Sequence, residues 1–126
     1  MSVLGAFSTL VVEFFEDISE QYPEEKDISL AAKALKLLKK TNPRLIHTGF
    51  TKAVTADLKA DILAEDEDAV IVKAKAMLNS KYAAMNYAFW IFDKHWSTMS
   101  ETNKQHVWRY IKAMLILSDR VPASAE

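Results

Sequence analysis

Three histidines, His47, His95 and His106, are the side chains best suited to moving protons or ligating a metal near neutral pH. No two of them stand at the i, i+3 or i, i+4 spacing that puts a ligand pair on one helix face. Each therefore reads as a surface or capping residue. The Glu-x-x-His pair of a di-iron carboxylate bundle is also missing, and the absence of cysteine removes thiolate nucleophiles, thiolate metal sites and disulfides.

Carboxylates offer a second chemistry. Glu13 and Asp17, Glu16 and Glu20, Asp57 and Asp61, and Asp61 and Glu65 are i, i+4 pairs. Like charges so placed weaken a helix by about 0.2–0.5 kcal/mol, a cost that a bound divalent cation would offset. Lysines at positions 33, 36, 39, 40, 52 and 59 supply a simpler neutralisation across helix interfaces. A divalent-metal or carboxylate-dependent enzyme accordingly ranks third among the functional readings. Two isolated glycines, Gly5 and Gly49, cannot form a phosphate loop, a dinucleotide fingerprint or a Gly-x-Ser-x-Gly elbow. The sequence leans away from an enzyme, and it assigns no catalytic residue, cofactor or metal ligand.

Two surfaces remain. Lys33, Lys36, Lys39, Lys40 and Arg44 form a basic ridge on one helix and its exit, with Lys73, Lys75 and Lys81 as possible allies. Such cations suit a phosphate backbone or an acidic partner, although base readout normally adds arginine, asparagine or glutamine on a presented helix. Tyr82, Tyr87, Phe89, Trp90, Phe92, Trp96 and Trp108 make up the second set. At helical spacing Phe89, Phe92 and Trp96 read as core, while Tyr87 and Trp90 are the candidates for a protein contact or a homodimer interface.

These residues need helices to place them. Only five glycines and prolines occur in 126 residues, half of the chain is apolar and 26% is charged, which favours a folded all-α domain over sheet or disorder. Val3, Phe7, Leu10, Val11, Phe14 and Ile18 trace a first amphipathic helix, which Pro23 ends. Leu30, Ala31, Ala34, Leu35 and Leu38 give a second helix its inner face, with Lys33, Lys36 and Lys40 opposite. Asn42 and Pro43 punctuate the start of a third, along which Ile46, Phe50, Val54, Leu58 and Ile62 step by four. The acidic run from Glu65 to Asp68 marks a junction into a fourth helix carrying Val70, Ala74, Met77 and Leu78. Tyr82 to Trp96 reads as a fifth, apolar nearly all round and the most buried. Ser100 caps a last helix from Glu101 to about Ser118, with Val107, Trp108, Ile111, Met114, Leu115 and Leu117 inward.

The expected architecture is an irregular or orthogonal bundle of five to six helices. A single domain should span residues 1–126, with a frayed tail from about 120. Net charge is only −1, yet acidic blocks at 13–27 and 61–68 alternate with basic blocks at 28–59 and 69–112. Neither a secretory leader nor a bilayer-length apolar stretch is evident, and the expectation is an intracellular chain without a membrane partner.

Several features in order carry a family resemblance: Phe14-Phe15-Glu16-Asp17-Ile18, Asn42-Pro43, Phe50, Asp61-Ile62 with the acids to Asp68, Asn103-Lys104, and Trp108-Arg109-Tyr110-Ile111. In these the chain resembles small all-helical proteins of large double-stranded DNA viruses of algae and protists. The resemblance implies a viral protein made in the cytoplasm or nucleus of a eukaryotic host, and it transfers no catalytic residue. The leading functional expectation is a non-enzymatic protein-interaction or structural accessory protein that associates with a protein partner or with itself. The alternative is nucleic-acid association through the lysine ridge.

Overall fold

The computed structural model describes residues 2–77 and 94–122. Among them are six α-helices, α1 (Val3–Gln21), α2 (Lys26–Thr41), α3 (Pro43–Ala53), α4 (Ala56–Leu63), α5 (Glu67–Met77) and α6 (Glu101–Arg120), with a short 3-10 turn at Trp96–Thr98 before α6. The fold is an all-α bundle, as the scarcity of turn residues implies.

Capping side chains start four of the six helices. Ser2 Oγ accepts from the Gly5 amide at 2.9 Å to start α1, and Ser100 Oγ accepts from the Asn103 amide at 3.2 Å to start α6. At the other end of α1, Tyr22 leaves helical geometry before Pro23, whose ring disfavours the α region there. Pro43 opens α3 at a position where its missing N–H costs nothing.

The expected long third helix is in fact two. It breaks at Val54 and Thr55, where the Thr55 hydroxyl accepts from the Leu58 amide at 3.3 Å and starts α4 afresh. Ile46, Phe50, Leu58 and Ile62 stay buried on both sides of the break, so the step of four survives the change of axis. Between α4 and α5 the amide of Glu65 bonds the Ile62 carbonyl and that of Asp66 bonds the Asp61 carbonyl, both at 3.0 Å. This is a Schellman closure with Glu65 at φ 54°, the left-handed position usually given to glycine. Asp66 Oδ1 then accepts from the Ala69 amide at 3.2 Å and caps α5, so the acidic run is indeed a helix junction.

Helix α1 is the axis of the bundle and packs against α2, α3 and α6, while α4 packs on α5 and α6. Its buried face holds Phe7, Val11, Val12, Phe14, Phe15 and Ile18. The ring of Phe7 meets those of His47 and Phe50 edge-on, with centroids 5.3 and 5.1 Å away. Trp96 is buried against Trp108 at 5.2 Å, and Lys104 lies over the Trp96 ring at 5.3 Å. The remainder of the apolar fifth segment, Tyr87 and Trp90 included, lies outside the described residues.

Helix α2 is turned relative to its expected orientation. Its core residues are Ile28, Ala31, Ala32 and Leu35, whereas Leu30 and Ala34, read from the sequence as inner, face solvent. Leu30 is 62% exposed and Leu37 64%. Two apolar stripes overlap on this helix, and α1 and α3 cover only one of them.

Candidate interaction surface

Two of the three histidines, His47 and His95, tie segments of the bundle together. His47 Nε2 lies 3.1 Å from the Ser118 carbonyl oxygen and 3.0 Å from the Ser118 hydroxyl, while Arg44 donates to the Pro122 carbonyl at 2.7 Å. These residues, one turn apart on α3, hold the C-terminal end of α6, where carbonyls lack helical partners and cations are favoured. A histidine beside a serine hydroxyl also resembles a base with its nucleophile. In either tautomer the ring joins α3 to α6, Nε2 donating to the carbonyl or accepting from the hydroxyl, and Ser118 is buried away from any substrate. The pair is a helix tie.

His95 is half-buried rather than a surface residue. Its ring stacks on Tyr22 with centroids 4.0 Å apart, and Nε2 lies 3.4 Å from Glu25 Oε1, which also accepts from Lys94 at 2.8 Å. The Lys94 hydrogen bond is the main influence holding the Glu25 carboxyl below its usual range. Together these contacts fasten the turn after α1 to the segment leading into α6. His106 is exposed and, with Leu10, Arg109, Tyr110 and Ala113, lines a shallow groove of about 220 Å³.

The carboxylate pairs do not converge. Among the described residues no group of three histidine or acidic side chains stands close enough to hold a metal ion. Asp61 pairs with Lys73, Glu65 with Lys112, Glu16 with Lys36 at 3.8 Å, and Asp17 accepts from the Tyr110 hydroxyl. Neutralisation by lysine is what the sequence suggests for these acids, but only Lys36 among the partners stands in the set it names. Lys73 and Lys112 come from α5 and α6, which lie beside α4 once the chain turns at Glu65.

The lysine ridge divides. Lys33, Lys36 and Lys40 project from one side of α2, whereas Lys39 is half-buried near the core stripe and Arg44 is drawn to Pro122. Lys33 and Lys36 border a hollow of about 300 Å³ shared with Glu16 and Glu20 of α1, so acids temper part of the ridge. Beside it run the exposed Leu30, Ala34 and Leu37, followed by Thr41.

This apolar line escapes the sequence reading because Leu30 and Ala34 fit the inner face equally well. Leu37 has a signal of its own: it stands i+7 from Leu30, in a second stripe at helical spacing. Tyr87 and Trp90, the candidate contact aromatics, lie outside the described residues. Among the described residues, no helix is long and apolar enough to cross a membrane. No protein-family model, curated protein or solved structure matches this chain.

Proposed function

We propose that this chain is a non-enzymatic interaction protein whose working surface is the outer face of α2, a docking strip for a helix of a partner protein. The observation that carries this reading is the exposure of Leu30 and Leu37, 62% and 64%, on a helix whose other side is already packed into the core. Leu30, Ala34, Leu37 and Thr41 alternate steps of four and three, the spacing at which a helix seats against another by knobs into holes. Burying a leucine side chain fully is worth about 1.5–3 kcal/mol, so two leucines on a short strip suit a reversible contact. The resemblance to viral helical proteins supports an accessory role inside a host cell, in cytoplasm or nucleus.

The test is selection of amphipathic helices from a displayed library against the immobilised protein. Selected helices should lose binding to a Leu30→Ser, Leu37→Ser variant whose melting curve matches that of the parent. Binders indifferent to both substitutions would sink the assignment.

A further inference from the structure

We infer that the partner helix docking on α2 is acidic along its flanks and belongs to a different protein, not to a second copy of this chain; the inference rests on the docking reading above. With Leu30 and Leu37 taken as d positions of a heptad, Ala34 and Thr41 fall at a, and Lys26, Lys33 and Lys40 fall at the three successive g positions. All three lysines are exposed.

They also stand outside the ion pairs of the described residues. Lys36, Lys59, Lys73, Lys94, Lys104 and Lys112 each form an ion pair with an acid of the chain itself. Lys26, Lys33 and Lys40 form none among the described residues, although Glu16 and Glu20 border the same hollow as Lys33. A chain that pairs six of its lysines with its own acids, yet holds three exposed ones in register beside an open leucine seam, presents the positive half of a complementary interface.

The same register argues against self-pairing. An antiparallel copy would set g lysines against g lysines, an unfavourable match of like charge. A parallel copy would need the e positions, Ala31 and Leu38, to face the partner's lysines, but Ala31 is buried and Leu38 is half-buried in the chain's own core. A helix with leucines on its seam and glutamates or aspartates on its flanks satisfies both the apolar strip and the lysines.

The test uses the intact protein and three fluorescent synthetic helices of about three heptads, identical in their leucine seam and flanked by Glu, Gln or Lys. Anisotropy should show the Glu-flanked helix binding roughly tenfold more tightly than the Gln-flanked one, with a preference that fades as salt rises. A Lys26→Glu, Lys33→Glu, Lys40→Glu variant, checked for an unchanged circular dichroism melt, should prefer the Lys-flanked helix instead. Equal binding of all three peptides that still requires Leu30 and Leu37 overturns the acidic partner and leaves the docking surface standing. Leucine-independent binding, or none, overturns both. A dimer dispersed by Leu30→Ser and Leu37→Ser overturns the choice of a different protein. Lysine-dependent binding of duplex DNA or phosphatidylserine vesicles, with the Glu-flanked helix left unbound, overturns the choice of a protein helix.

Discussion

The Ser8 hydroxyl sits on the enclosed face of α1 with no hydrogen-bond partner among the described residues. A buried hydroxyl that has lost water without gaining a partner opposes folding, so Ser8→Ala should stabilise the protein by about 1 kcal/mol in urea unfolding; a loss of stability would show that the hydroxyl is satisfied. Tyr110 is the opposite case. Its phenol donates to Asp17, and its pKa is held above the ordinary value, first by burial, then by that hydrogen bond and by the charges of Asp17 and Glu13. The folded state thus holds the phenolic proton more tightly than the unfolded chain. The resulting stability is complete below about pH 10, the unfolded value, and is lost as pH climbs through the higher folded value. Tyr110→Phe should flatten this alkaline fall in the melting temperature, and an unchanged alkaline limb would rule out Tyr110 as its source.

At the scale of elements, the junctions decide the path of the chain. Glu65 occupies left-handed geometry that costs a residue with a side chain roughly 1–2 kcal/mol, while its carboxylate meets Lys112. Glu65→Gly should be close to neutral, because relief of that strain offsets the lost ion pair and glycine's greater unfolded-state freedom. Glu65→Val, β-branched at the same position, should cost about 2 kcal/mol. Equal midpoints for the two variants in chemical denaturation would contradict the left-handed assignment. The helix starts at Pro43 and Ser100 were legible in sequence because their signals are local, although Asn42, a favoured capping residue, makes no side-chain cap ahead of Pro43. The break at Thr55 was not, because a step of four continues through it and a threonine within a helical pattern announces a cap only once its hydroxyl finds Leu58. The exposed leucine strip on α2 was hidden for a related reason: one helix carries two apolar stripes, and only the placement of α1 and α3 reveals which is left open.

For the molecule as a whole, stability rests on the apolar faces gathered around α1 more than on the ion pairs that stitch its surface. Phe7 touches both His47 and Phe50 and is fully buried, so Phe7→Ala should cost about 3–5 kcal/mol, a large share of a typical domain's total. Lys36→Ala, which removes a solvent-exposed pair with Glu16, should cost less than about 1 kcal/mol. Comparable losses in the two variants would mean that charge, not burial, holds the bundle together. The bundle class was readable from composition and periodicity; the contacts of α1 with α6 were not, because nothing local in either segment names a partner so distant along the chain.

That distance shapes how the protein is made. Helix α1 packs against α2, its immediate successor, but also against α6, which begins at Glu101. At 5–20 residues per second, translation keeps the α6-facing side of α1 waiting for on the order of 10 s before its partner emerges. During that interval part of an apolar face that carries Phe7, Val11, Phe14 and Phe15 is open to any hydrophobic surface it meets. The nascent chain should therefore depend on holding factors at the ribosome, and release from them should coincide with the appearance of α6.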